Sequence, residues 1–121
     1  MFFSTRELEA ITKMAKAMIS ADGEIKAGEI IALGEELKHF APSNAEAILD
    51  GSDRMDTVES LQILKNMTIE EKKYVCGFLA AVSIVDGNID TKEMAMWKLV
   101  STLASFPTMS FHEALNFWRQ H

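Results

Sequence analysis

The sequence contains a single cysteine, Cys76, one tyrosine and two prolines among its 121 residues. A single cysteine excludes an internal disulfide, and the apolar neighbours of Cys76 indicate a small buried hydrophobic residue rather than a reactive thiol. Proline and tyrosine are scarce beside abundant Ala, Glu, Leu, Lys and Met, and this composition favours helices over strands. We therefore predict an all-α protein without a cysteine-based site.

Basic residues are also in the minority, since 12 Lys and Arg accompany 18 Asp and Glu, for a formal net charge of −6. Nucleic-acid binding needs a concentrated basic surface, so we expect no nucleic-acid partner. An acidic chain suits a cation or a basic protein surface better. No apolar run approaches the about 18 residues that a membrane-spanning helix requires. We therefore expect a soluble, cytoplasmic protein with no direct membrane insertion.

The length fits one domain over residues 1–121. Helix starts are marked by Ser, Thr or Asp followed three residues later by Glu, the capping box, in which each side chain bonds the other residue's backbone N–H. The pattern occurs at Ser4/Glu7, Ser43/Glu46, Thr68/Glu71, Asp90/Glu93 and Ser110/Glu113. Together with the apolar periodicity it predicts seven helices, at about 5–20, 27–40, 44–50, 57–66, 69–85, 91–105 and 111–120.

The helix predicted at 69–85 is apolar over more than half its circumference, which indicates a central position in a compact bundle. Gly77 inside it costs about 1 kcal/mol relative to alanine, so we expect a neighbouring helix to approach closely there. The last predicted helix carries an aromatic-rich stripe of Phe111, Leu115 and Trp118. We interpret this stripe as the face that docks onto the bundle; a partner groove or a homodimer contact is the alternative.

One pattern occurs twice. Residues 20–29 read SADGEIKAGE and residues 84–93 read IVDGNIDTKE, and both contain Asp-Gly-x-Ile-x-x-x-Glu. We call these segments the first and the second joint, because each connects two predicted helices. The similarity extends over residues 9–37 and 73–101, with the identities concentrated in the joints. We therefore predict two pseudo-symmetric helix–loop–helix hairpins, joined by two short helices and followed by a seventh.

Helix capping accounts for much of each joint. Gly23 and Gly87 are predicted to supply the left-handed residue that ends the preceding helix. Glu29 and Glu93 are predicted at the third position of the following helix, where a carboxylate bonds the cap N–H and meets the positive end of the helix dipole. These four residues therefore need no bound ligand to explain them.

Asp22 and Asp86 are harder to explain as caps. Each is predicted at the C-terminal end of a helix, where an acidic group costs about 0.3–1 kcal/mol, although an Asx-turn would compensate. Two interpretations stay open: the joints are purely structural, or they bind a divalent cation such as Ca²⁺, Mg²⁺ or Mn²⁺. The candidate ligands are Asp22, Glu29, Asp86, Asp90 and Glu93. The second joint is the better candidate, because the first has Lys26 where the second has Asp90.

A standard EF-hand is not expected at either joint. The joints match only the second half of an EF-hand loop, and each offers about four oxygens where calcium takes about six to eight. Two joints would have to pool their ligands, or one joint would have to hold a hydrated Mg²⁺ or Mn²⁺.

Three features resemble the TerB-like family, a tellurite-resistance-associated helical domain similar to the N-terminal region of membrane-anchored DnaJ-like co-chaperones. They are the joint after an Ala-rich apolar helix, its repetition in a second hairpin, and the all-helical setting over residues 5–105. The resemblance implies a compact bundle of about seven helices that binds divalent cations and acts in stress responses through protein assemblies. By position, it assigns the cation to Asp22, Glu29, Asp86 and Glu93.

Enzymatic activity has no positive signal in the sequence. The three histidines are scattered, without the His-Glu-x-x-His spacing of a zinc-binding helix, and no phosphate-binding glycine loop is present. We therefore expect a non-enzymatic protein that has a protein partner and no organic cofactor.

Overall fold

The computed structural model describes residues 3–20, 27–41, 43–85, 88–89 and 91–120. These residues form seven α-helices and two strands of two residues each. The helices are α1 Thr5–Ile19, α2 Ala27–Phe40, α3 Ala45–Ser52, α4 Thr57–Lys65, α5 Ile69–Val82, α6 Thr91–Leu103 and α7 Phe111–Gln120; the strands are β1 Ile84–Val85 and β2 Asn88–Ile89. The predicted all-α bundle is thus confirmed, and none of the described helices is long and apolar enough to cross a membrane.

Three of the predicted capping boxes are present with both bonds between 2.8 and 3.1 Å: Ser4/Glu7 at α1, Thr68/Glu71 at α5 and Ser110/Glu113 at α7. The box predicted at Ser43/Glu46 is wrong. Helix α3 is instead preceded by Asn44 as its N-cap, with φ −124° and ψ 9° and no side-chain capping bond. Asp90 of the fifth box lies outside the described residues.

Helix α5 ends at Val82, three residues before the predicted end. The chain turns there into an antiparallel pair in which Ile84 faces Ile89 and Val85 faces Asn88. The helix prediction ran too far because a short apolar run such as Ile84–Val85 suits a strand as well as a helix. Asp86 and Gly87, which separate the two strands in the sequence, lie outside the described residues.

Helix α5 is the centre of the bundle, because nine of its 14 residues are buried. Its most extensive helix–helix contact is with α7, and Gly77 lies at this contact. A Cβ placed on Gly77 would lie 2.6 Å from both the carbonyl oxygen of Ala114 and the Cβ of Trp118. The expected close approach at Gly77 is therefore confirmed. The predicted docking face of α7 is confirmed as well, since its aromatic-rich stripe is buried.

The repeat extends to three helices in each half. Helices α5 and α6 begin 64 residues after α1 and α2, as the alignment of the joints predicts. In addition, α3 packs on α1 as α7 packs on α5, so the third helix of each half lies on the first. The seventh helix is thus the counterpart of α3 rather than a separate closing element, and α4 connects the two halves.

Helix α6 ends in a Schellman motif in which serine takes the position that glycine usually occupies. The N–H of Phe106 bonds the carbonyl of Ser101 at 2.9 Å, and the N–H of Ser105 bonds that of Thr102 at 3.2 Å. Ser105 has φ 56°, in the left-handed region that a Cβ disfavours. Its carbonyl accepts a bond from Nζ of the largely buried Lys72 at 3.3 Å. The C-terminal end of α6 is therefore tied to α5.

Replacing Ser105 with glycine should raise the free energy of unfolding by about 0.5–1 kcal/mol, because glycine adopts φ 56° without steric strain. Urea denaturation monitored by circular dichroism measures the change. Thr102→Gly is the matched control: glycine there enters the last turn of α6 and should lower stability by about 0.3 kcal/mol. Equal losses in both variants would contradict the assignment of strain to Ser105.

Candidate functional site

The structure describes two of the five candidate ligands, Glu29 and Glu93. Each lies in the first turn of the helix that follows its joint, Glu29 in α2 and Glu93 in α6. They are 3% and 5% exposed, respectively. Asp22, Asp86 and Asp90 lie outside the part of the chain that the structure describes. The two joints thus agree at the position that can be compared: each places a buried carboxylate at the start of its second helix.

The helices that precede the joints end earlier than predicted. Helix α1 ends at Ile19 with Ser20 as its cap, whose N–H bonds the carbonyl of Lys16 at 3.1 Å. Helix α5 ends at Val82 with Ser83 as its cap, whose N–H bonds the carbonyl of Ala80 at 3.2 Å. The helices thus end at the caps Ser20 and Ser83, before the predicted glycines Gly23 and Gly87, which themselves lie outside the described residues.

The dipole argument about Asp22 and Asp86 depends on where the preceding helices end, and both aspartates lie outside the described residues. Both residues come three or more positions after the last helical residue, and the helix dipole acts mainly within the last turn. The helix dipole therefore gives no reason to treat Asp22 and Asp86 differently from the other residues of the joints.

The capping boxes provide an internal comparison for Glu29 and Glu93. Glu7, Glu71 and Glu113 each accept the cap N–H at 2.8 to 2.9 Å while their side chains remain half-buried or exposed. The N–H of Ser110 lowers the pKa of Glu113, as expected for a carboxylate that accepts a backbone bond. Capping therefore does not require a buried carboxylate, and burial distinguishes Glu29 and Glu93 from these three glutamates.

The end of α1 has a basic environment that the second half of the chain does not repeat. A pocket of about 350 Å³ there is lined by Lys13, Lys16 and Ser20, together with Asp53 and other residues. Nζ of Lys16 bonds Oδ1 of Asp53 at 2.8 Å, and this bond lowers the pKa of Asp53. The positions that correspond to Lys13 and Lys16 in the second half are glycine and alanine. Charge therefore favours a cation at the second joint over the first.

The described residues contain no group of three or more His, Cys, Asp or Glu side chains that could hold a metal ion. Glu29 and Glu93 come from different joints, and the three aspartates that would join them are not among the described residues. Each joint therefore contributes one candidate ligand, Glu29 or Glu93, to the described part of the chain.

Sequence reasoning missed a groove of about 660 Å³ between α6, residues 104–110 and the start of α7. Its apolar lining consists mainly of Met94, Trp97, Phe106, Met109 and Phe111. These residues come from three consecutive segments, so no single periodicity marks them. The available signal was the Pro-containing connection at 105–110, which carries large apolar residues where a solvated loop would be polar.

Cys76 is buried on α5, and burial raises the pKa of its thiol to about 12. This confirms the predicted role of Cys76 as a small hydrophobic residue, because a thiol that stays protonated is a poor nucleophile. The carbonyl of Cys76 accepts a bond from Nε1 of Trp97 at 3.2 Å, which ties α6 to α5.

Comparisons with known proteins find a similar solved structure. No family model matches the sequence, and no curated protein matches it significantly. Among solved structures, the crystal structure of a protein of unknown function, PG1108 from Porphyromonas gingivalis W83, matches with a TM-score of 0.89 at 40% sequence identity. The match covers 98% of this chain and 92% of that chain. The likeness therefore includes both sequence and fold over nearly the whole length.

Proposed function

This chain belongs to the same family as the Porphyromonas gingivalis protein PG1108, and we propose that it is a non-enzymatic, TerB-like helical module. It binds a divalent cation at its acidic joints and acts through protein–protein contacts in a stress-related assembly. The second joint is the principal cation site, with Asp86, Asp90 and Glu93 as its ligands. Asp22 and Glu29 of the first joint are the corresponding residues of a weaker site.

The burial of Glu29 and Glu93 at corresponding positions is the observation that carries the cation proposal. Moving a carboxylate out of water is costly unless hydrogen bonds or a positive charge compensate it. A divalent cation provides such a charge and prefers carboxylate oxygens. Since the capping glutamates of α1, α5 and α7 function without burial, capping alone does not account for this feature.

The alternative is an interaction module whose joints bind no ion. The three observed capping boxes favour this alternative, because they show that the chain repeatedly uses Glu at the third helical position to cap its helices. In that case Glu29 and Glu93 are structural residues, and they are buried without a bound ion.

Thermal unfolding with added ions distinguishes the two functions. After chelator treatment, we expect Ca²⁺, Mg²⁺ or Mn²⁺ to raise the melting temperature, because an ion at ten times its dissociation constant adds about 1.4 kcal/mol to stability. Glu93→Gln should remove most of the shift and Glu29→Gln a smaller part. Glu71→Gln is the matched control, since Glu71 is also the third residue of its helix. The ion-induced rise in melting temperature of this variant should equal that of the wild type.

Two results would reject the cation proposal. One is an unchanged melting temperature at millimolar concentrations of all three ions. The other is a shift that persists in the double variant Glu29→Gln/Glu93→Gln, because the ion would then bind elsewhere. Either result supports the ion-free interaction module.

A further inference from the structure

The groove between α6, residues 104–110 and the start of α7 has a firm apolar floor and adaptable walls. The rings of Trp97 and Phe111 form the floor, where they meet edge to face at 5.3 Å and are both buried. Met94, Phe106 and Met109 are partly buried and form the walls. Methionine adjusts its shape to different partners, so these walls can accept more than one apolar side chain.

The charge of the groove is opposite to that of the chain as a whole. Lys98 and His112 are the charged or titratable residues among the described residues that line it, and no Asp or Glu is among them. The net charge of the chain is −6. Lys72 adds a further positive charge behind Ser105, whose carbonyl it bonds at 3.3 Å. Glu113 follows His112 in sequence, but its carboxylate is exposed and accepts the N–H of Ser110.

The hydroxyl groups on α6 that line the groove bond their own helix. The hydroxyl of Ser101 donates to the carbonyl of Trp97 at 2.8 Å, and that of Thr102 donates to the carbonyl of Lys98 at 3.0 Å. The groove is also open to solvent. A small-molecule site usually encloses most of its ligand and orients it with well-placed polar groups. An open groove with an apolar floor instead suits side chains that project from a larger partner.

From this shape and charge we propose that the groove binds a peptide segment of a partner protein, with bulky apolar side chains flanked by Asp or Glu. The apolar side chains rest on Trp97 and Phe111 between the methionines, and the acidic groups lie near Lys98 and His112. This gives the protein contacts of the proposed function a location and a partner class, and it rests on that part of the function alone. Loss of peptide binding and loss of the cation shift are therefore separate results.

Selection from a displayed library of random 12-residue peptides tests the proposal. The bait is the full-length folded chain, and the recovered peptides are synthesised with a fluorophore for anisotropy titrations. We expect them to combine at least two large apolar residues with Asp or Glu. Their affinity should fall by about tenfold or more in Lys98→Glu, because the charge that attracts the acidic residues is reversed. Added salt should also weaken binding.

Lys65→Glu is the matched control for Lys98→Glu. Lys65 lies at the end of α4, outside the groove, and its variant has the same net charge. Binding should stay within about twofold of wild type in this control. Thr102→Trp offers a second, steric test, because Thr102 is an exposed residue of the groove wall and a bulky ring there occupies the groove. Circular dichroism checks that each variant is folded.

Several outcomes would overturn the proposal. These are a library that yields no binder, peptides rich in Lys or Arg, and equal losses in Lys98→Glu and Lys65→Glu. Sodium oleate serves as a small-ligand probe: if it binds wild type, fails to bind Thr102→Trp, and no acidic peptide competes with it, the groove is a small-molecule site instead.

Discussion

Replacing Gly77 with alanine should lower the free energy of unfolding by about 1–2 kcal/mol, although alanine is the better helix former. The added Cβ would lie 2.6 Å from the carbonyl oxygen of Ala114 and from the Cβ of Trp118. Neither atom is the free end of a flexible side chain, so α7 has to move away from α5. Overpacking of this kind costs about 1–3 kcal/mol and exceeds the helix-propensity gain of about 1 kcal/mol.

Gly34 provides the matched control for Gly77. It also lies within a helix, α2, but a Cβ placed there meets no atom within 4 Å. Gly34→Ala should therefore raise stability by about 0.5–1 kcal/mol through helix propensity alone. Urea denaturation of the two variants gives both values. A Gly77→Ala protein as stable as wild type would show that α5 and α7 are not held at the observed separation.

The main features of the fold could be predicted because local signals and tertiary packing agree. The stripe of Phe111, Leu115 and Trp118 predicts a docked helix, and Gly77 predicts the place where it docks. Both predictions rest on periodicity and on the size of single residues. The strand pair at Ile84–Val85 was missed because two apolar residues after an apolar helix carry no periodicity of their own. The Schellman motif was missed because its left-handed position is Ser105, where glycine is usual.

The candidate site could be predicted only in part, because burial is a tertiary property. Glu71 and Glu93 have the same position, the third residue of their helices, yet Glu71 is half-buried and Glu93 is buried. No feature within either segment distinguishes them. The repetition of the joint did identify the right residues to compare, since Glu29 shares the burial of Glu93. The groove has no such repeat to reveal it: its Lys98 corresponds to Gly34 in the first half.

Trp118 connects the two halves of the chain, and its removal should produce the largest loss of stability. Its ring meets Phe78 of α5 at 5.6 Å and His39 of α2 at 5.6 Å, and Nε1 donates to Oε2 of Glu36 at 2.7 Å. Truncation of a buried tryptophan to alanine costs about 3–5 kcal/mol, because packing is lost and a cavity remains. We expect Trp118→Ala to lie in this range in urea denaturation.

Trp118→Phe separates the hydrogen bond from the packing. Phenylalanine keeps a ring against Phe78 but has no N–H for Glu36, and a hydrogen bond to a charged group contributes about 1.5–3 kcal/mol. The loss should therefore fall near this value, well below that of Trp118→Ala. Glu36→Gln is the control: a neutral acceptor stays in place and the loss should be smaller still. Equal losses of stability for Trp118→Phe and Trp118→Ala would contradict this division. The hydrogen bond to Glu36 of α2 would then contribute more than the packing on α5, so a polar contact would join the two halves of the chain.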